Sequence, residues 1–214
     1  LGDVYKRQVT KLLKDDQGTV NGVEVQTTAG TKTIAANSVI LATGGFGASK
    51  EYMKRYRPDL VDYKTTNQPG ATGDGLKLGE DVGAQLVQMD LIQVHPTVQQ
   101  DNPHVYLIGE VVRGEGAILV NAKGQRFVNE LNTRKIVSNA ITALPEHSAY
   151  LIFDQGIRDR AKAVDFYDKV GLVVSGNTIE ELAQKLSMEP ATLKKTVATW
   201  NQAVKDHDDQ EFSR

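Results

Sequence analysis

The sequence predicts an α/β segment followed by an α+β segment, and three observations carry that prediction. Ser38-Val-Ile-Leu-Ala-Thr-Gly-Gly45 is a short continuous apolar run ended by two glycines. A run without alternation is the pattern of a strand covered on both faces, as in a parallel sheet. Near residue 90 the texture changes from strands and glycine turns to mixed helices and short strands, which places a boundary there and divides the chain into 9–89 and 90–214. Finally, Pro190 opens a closing helix to about His207, with Leu193, Val197, Trp200 and Val204 along one face.

Composition narrows the function classes. A chain of 214 residues can bury a sizeable core. Its 25 Lys and Arg against 27 Asp and Glu leave no net field to attract nucleic acid or an anionic membrane surface. The absence of cysteine excludes a disulfide scaffold, a Cys-ligated zinc site and a thiol nucleophile. The apolar runs at Ser38–Ala42 and Gly116–Val120 are too short to cross a bilayer, so no direct membrane insertion is expected. Residues 1–8 read as a non-native scar and are set aside from the fold argument, and Asp206–Arg214 reads as a polar tail after a helix.

The elements follow in order. Val9–Lys14 and Val20–Thr28 read as strands joined by the turn residues Asp15-Asp16-Gln17-Gly18, and Thr31–Ala35 as a third, half-exposed strand. Glu51–Tyr56 is a short helix ended before Pro58. Asp74–Val82 is a helix introduced by Gly70-Ala-Thr-Gly-Asp-Gly75. Ala117–Asn121 and Gln125–Val128 flank a glycine turn and predict a hairpin. Ile136–Leu144 is helical, Ala149–Phe153 is a buried strand, and Asp154 can cap the turn that follows. Thr178-Ile-Glu-Glu181 has capping-box spacing and opens a helix to Leu186.

Several residues have a bland reading and a chemical one. The glycines after Val39–Leu41 can simply turn the chain, or let its backbone approach a ligand at a strand end. Thr72 or Asp74 can cap a helix, or the acid can accept a hydrogen bond from a cofactor hydroxyl. His95, held extended by Pro96, is a structural turn histidine or an aimed one. Glu110 and Arg113 are an i,i+3 ion pair or a functional couple. Arg134 alone is a surface ion-pair residue.

Order tips the balance. Ala42-Thr-Gly-Gly45, Thr72-Gly-Asp-Gly75, His95-Pro-Thr97, Glu110-Val-Val-Arg-Gly114 and Asn129-Glu-Leu-Asn-Thr-Arg134 follow one another along the chain. In that order and spacing the sequence resembles the FAD-dependent flavoproteins of fumarate reductases and succinate dehydrogenases, most closely the soluble flavocytochrome-c-type fumarate reductases. The resemblance covers Val9 to Arg214 and implies an internal segment of such a flavoprotein. No GxGxxG fingerprint occurs in the chain. The family's C-terminal segments with a second substrate His and Arg do not occur either.

The resemblance implies a partial FAD-binding, Rossmann-like domain over 9–89 and a fumarate-reductase-type capping (clamp) domain over 90–214. It places Val9 beside the adenine, Ala42, Thr43 and Gly44 near FAD, and Asp74 as a polar FAD contact. It makes His95 a donor to a substrate carboxylate and Arg134 the acid that protonates substrate carbon. Glu110 and Arg113 become the relay returning a proton to Arg134. A guanidinium is a poor acid unless its site is dry and a relay serves it. The implied substrate is a small dicarboxylate or related unsaturated acid, fumarate by default, with electrons from a domain or protein outside this segment.

Two departures matter. Gly109 stands where the family's fumarate reducers often carry a Thr that helps hold substrate, and Lys135 stands where an Asp is common. Both keep urocanate, methacrylate and cinnamate-type acids in view. Val98 after Thr97 disfavours the succinate-oxidising branch, and Arg134 with its relay disfavours a ketosteroid dehydrogenase. A non-catalytic binding module would leave Val39–Leu41 an orphan strand. The compartment is left open.

Overall fold

The computed structural model describes residues 6–101 and 103–214. Residues 1–5 of the expected scar therefore lie outside the described residues. The chain divides into two compact units, one running to Ile92 and the other from Gln93 to Arg214.

The first unit opens with an antiparallel meander: β1 (Gln8–Lys14), β2 (Val20–Thr27) and β3 (Gly30–Ala35), in that spatial order. The first turn is closed by the Asp15 carboxylate, which accepts from the backbone N–H of Gln17 and of Thr19. Gly22 pairs with Ala35, and a Cβ at Gly22 would sit 2.5 Å from the Ile34 carbonyl oxygen, so the strands approach there only because the residue has no side chain. Helix α1 (Lys50–Tyr56) is capped by the Ser49 hydroxyl, which accepts from the Tyr52 N–H. It yields to a 3-10 turn at Pro58–Leu60. Helix α2 (Asp74–Asp81) begins behind Gly73, whose φ of +87° takes the left-handed conformation that glycine tolerates.

The predicted buried strand at Ser38–Gly45 is a correction. Residues 38–46 form neither helix nor strand, and Ile40 is 89% exposed. Apolarity specifies that a strand wants cover, but a strand also needs a neighbour to take its N–H and C=O groups. Among the described residues none pairs with this segment.

The second unit holds the hydrophobic clusters found among the described residues. It contains two short antiparallel pairs, β4 (Val98–Gln99) with β5 (Tyr106–Leu107), and β6 (Ile118–Val120) with β7 (Tyr150–Ile152). Its helices are α3 (Val111–Gly114), α4 (Arg134–Thr142), α5 (Gln155–Arg160), α6 (Ala163–Lys169), α7 (Ile179–Lys185) and α8 (Pro190–Asp206). Strand β6 is buried throughout and divides the interior by its alternation. Leu119 packs with Val128, Val137 and Ile141, while Ile118 and Val120 pack with Ala183, Met188 and Leu193. Ala117, just before β6, joins Val112, Ile157, Val164 and Tyr167.

The caps behave as the sequence suggests. Asp154 accepts from the Ile157 N–H, and Thr178 accepts from the Glu181 N–H. The return arm of the box is displaced by one residue, since the Glu181 carboxylate accepts from the Asn177 N–H. Glu189 caps α8 through the N–H groups of Ala191 and Thr192, with Pro190 at the first position. Along its inner face Leu193 is fully buried, Val197 and Trp200 are partly covered, and Val204 is exposed, so the predicted stripe stops one turn early.

Two further expectations are corrected. The predicted hairpin 117–128 survives as its turn, where the Asn121 N–H donates to the Gln125 carbonyl, and as a bridge between Val120 and Arg126, while the strand β6 pairs with β7. The reason is local: the Leu119 N–H, which a longer hairpin ladder would use, is donated to the Glu130 carboxylate. The 149–153 segment is a strand but a half-buried one, with Tyr150 exposed. No described helix is long and apolar enough to cross a membrane.

Candidate active site

In the first unit the two glycine segments meet. The Gly73 N–H donates to the Gly45 carbonyl at 3.2 Å, and the Ala48 N–H donates to the Ala71 carbonyl at 2.9 Å. A Cβ on Gly75 would fall 2.0 Å from the Thr43 hydroxyl oxygen, so α2 begins hard against Thr43. Ala42, Thr43 and Gly44 are exposed, Gly44 has a φ of +77°, and nothing lies within 4 Å of a Cβ built at Gly44 or Gly45. The result is a strip of bare backbone beside a helix N-terminus. Gly73, not Thr72 or Asp74, occupies the cap position, and Asp74 instead accepts from the Thr72 hydroxyl at 2.8 Å. Val9 sits on the edge strand β1, half exposed and paired with Val25.

In the second unit His95, Glu110 and Arg134 come together. Two features fix the distance between the His95 and Glu110 segments. The Ile108 N–H donates to the Thr97 carbonyl at 2.9 Å, and the Thr97 hydroxyl donates to the Ile108 carbonyl at 2.6 Å. Buried Ser138 on α4 reaches the carbonyls of Val94 and Arg134, tying the same segment to the first turn of α4. The Thr97 N–H donates to His95 Nδ1 at 3.3 Å, so His95 presents Nε2–H to Glu110 Oε1 at 3.1 Å. Arg134 Nε donates to that same Oε1, and its Nη1 donates to Gln93 Oε1 at 2.6 Å.

Glu110 is the N-cap residue of α3. Its own backbone N–H, with the guanidinium of Arg134 and the ring of His95, outweighs partial burial and holds its carboxyl down to about 2. Arg113 lies on the same short helix but forms no ion pair with Glu110; its Nη1 donates to the Glu130 carbonyl at 2.6 Å. The simple i,i+3 pair is thereby replaced by two separate attachments. Burial, with the neighbouring cations Arg134 and Arg214, pushes the Arg113 guanidinium below its ordinary value, and Arg113 Nε is buried without a partner. An unpaired buried donor costs about 1–3 kcal/mol, which a scaffold tolerates where the group has work to do. Glu110, Arg113, Glu130 and the 131–134 loop line a cavity of about 320 Å³. Gly109 precedes Glu110 and donates its N–H to the Tyr167 hydroxyl at 3.0 Å.

Four participants escape a reading by motif. Gln93 is an ordinary polar residue two positions before His95. Glu130 lies inside the Asn129–Arg134 motif, yet its carboxylate is wholly buried, accepting from the Leu119 N–H, Arg126 and Arg214. Asp209, across from Arg126, and Arg214 lie in what reads as a polar tail. Burial raises the Asp209 carboxyl, but two hydrogen bonds from Arg126 win and leave it lowered. Only the paired charges of the Glu130 motif and tail hint at this in sequence, because the partners lie about eighty residues apart.

A family described as FAD binding domain matches residues 3–214. NADH:fumarate oxidoreductase of Klebsiella pneumoniae is 48% identical over 181 residues, covering 85% of this chain and 19% of that protein. A probable fumarate reductase of Shewanella frigidimarina is 40% identical over 208 residues, covering 97% of this chain and 35% of that protein. Among solved structures, the open conformation of a flavocytochrome c3 fumarate reductase superposes with a TM-score of 0.70 at 41% identity, covering 97% of this chain and 37% of that one. The chain thus spans well under half the length of these relatives. The three relatives named here carry fumarate reductase or fumarate oxidoreductase names, and this chain belongs to the FAD binding domain family.

Proposed function

We propose that this chain carries the proton-delivering side of an FAD-dependent reductase of α,β-unsaturated carboxylic acids, with fumarate as the default substrate. The observation that supports this most is the joining of Arg134 to Glu110 and His95 beside a desolvated Arg113. In this reading the unit to Ile92 is part of the FAD-binding, Rossmann-like domain, and the unit from Gln93 is the capping domain.

The residues present fit FAD. Backbone bared at Ala42, Thr43 and Gly44 admits a flat ring, the carboxylate of Asp74 accepts from a hydroxyl, and Val9 offers an apolar contact on an edge strand. FAD, when bound and reduced by the electron donor, would supply a hydride to one carbon of the substrate double bond. Arg134 donates a proton from its guanidinium to the neighbouring carbon, completing the saturated acid. Glu110 rests as an anion and stabilises the charged guanidinium. Once that guanidinium has given up its proton, one of the cations holding the Glu110 carboxyl low is gone, and Glu110 can take a proton from the Arg113 side and return it. His95 orients Glu110 and, by opening its Nε2–H, offers a donor to a substrate carboxylate. Gly109 brings no side-chain hydroxyl to hold a substrate carboxylate, and a Cβ there would already meet the Tyr167 hydroxyl at 3.7 Å, so an acid other than fumarate, such as urocanate, is a second reading.

The test uses the protein expressed from its entire reading frame. The enzyme is reduced without oxygen, and its reoxidation by fumarate, urocanate, methacrylate and cinnamate is followed. Rapid reoxidation by one acid is expected, falling at least a hundredfold in Arg134→Ala. If no acid reoxidises the enzyme, or the variant matches wild type, the assignment fails.

A further inference from the structure

We infer that Arg214 is a positioning residue for the proton relay: its guanidinium clamps the carbonyl end of the Arg113 helix to the Glu130 loop, setting the separation of Arg113 and Arg134. This rests on the relay reading above. Arg214 is not a wall of the cavity that holds Glu110, Arg113 and Arg134. It reaches their backbone from behind. Its Nη2 donates to the Arg113 carbonyl, and its Nη1 donates to the Ala117 carbonyl at 2.9 Å and to Glu130 Oε2 at 3.0 Å.

The α3 helix has four residues, and the N–H groups of Glu115, Ala117 and Gly116 already reach the carbonyls of Val111, Val112 and Arg113. Arg214 adds a second, charged donor to the Arg113 carbonyl and carries that attachment across to Glu130. Arg113 is fastened at its Nη1 as well, by the Glu130 carbonyl. Glu130 is in turn anchored by Arg126 and by the Leu119 N–H on buried β6, and Arg134 follows it by four residues. The clamp is itself held: the Arg214 side chain is 5% exposed, lies 4.7 Å over the Trp200 ring, and its backbone N–H donates to Asp209. Lysine, with one compact ammonium, cannot span three acceptors.

A merely stabilising arginine would change the amount of folded protein and nothing in the chemistry. Arg214→Gln and Arg214→Lys, made in the entire reading frame, are therefore read in two ways. In anaerobic turnover we expect kcat to fall at least tenfold in Arg214→Gln with KM within twofold. The solvent deuterium isotope effect should rise as protonation becomes limiting, and Arg214→Lys should recover part of kcat. Independently of activity, amide hydrogen exchange over 113–117 and 130–134 should quicken in both variants and not over α7. Leu193→Ala serves as the stability control and should lower Tm while leaving the isotope effect unchanged. Wild-type kcat and isotope effect in Arg214→Gln, or unchanged exchange in these two segments, overturns the proposal. If Arg214→Gln does not fold, the same readings in Arg214→Lys decide. Arg134→Ala matching wild type would sink the underlying reductase reading instead, while the exchange data still judge the clamp.

Discussion

One carboxylate oxygen of Glu110 is addressed by both His95 and Arg134, and the proposed relay runs through it. Glu110→Gln keeps the shape and removes the charge, so we expect kcat in acid-driven reoxidation to drop about a hundredfold or more, the usual worth of a positioned acid–base group. The pH dependence has a defined sign. Because the folded value is lowered from 4.5 to about 2, whatever stability Glu110 contributes is present above 4.5 and lost as pH falls towards 2. The Tm difference between wild type and Glu110→Gln should therefore shrink across that acid window; a difference that grows on acidification would refute the assignment. His95, Glu110, Arg113 and Arg134 stand out in sequence as candidates because each sits in a short ordered motif, and the structure joins His95, Glu110 and Arg134 by hydrogen bonds. Glu130 does not stand out, since its role depends on Arg126 and Arg214, and only folding brings a residue of the tail beside it.

At the scale of elements, capped and amphipathic helices read well and strands less so. The α8 helix carries its own instructions: Glu189 and Pro190 start it, and Leu193 points it inward. Leu193 is fully buried against Ile118, Val120, Ala183 and Met188, so Leu193→Ala should destabilise the second unit by about 2–5 kcal/mol, seen as a lowered Tm and denaturation midpoint. A loss below half a kcal/mol would mean that the packing there is loose. The run Ser38–Gly45 shows the opposite case. Its apolar side chains announce a strand, but pairing is a property of two segments, and one sequence run cannot show whether its partner is at hand. The turn at Gly124 likewise suggested a hairpin, whereas the side chain of Glu130 claimed the Leu119 N–H instead.

At the scale of the molecule, cover is unevenly shared. The second unit has three apolar clusters among the described residues, and the first exposes Ile40, Val87 and Leu91. Residues 93–214 expressed alone should therefore melt cooperatively with dispersed amide resonances, whereas 1–92 alone should be broad-lined and prone to association. A sharply melting 1–92 would show that the exposed residues need no covering. The change of texture near residue 90 was visible in sequence because glycine-rich turns gave way to amphipathic helices. The unequal cover was not visible, since both halves are rich in Val, Ile and Leu.

Trp200 has a further use. It is the chain's one tryptophan, and the guanidinium carbons of Arg126 and Arg214 lie 4.6 and 4.7 Å from its ring centre. An indole beside two fixed cations emits at a wavelength and with a yield sensitive to their field. The segment from Gln93 to Arg214 thus contains its own optical probe, and loosening of the Arg214 contact registers as a change in emission with no label attached.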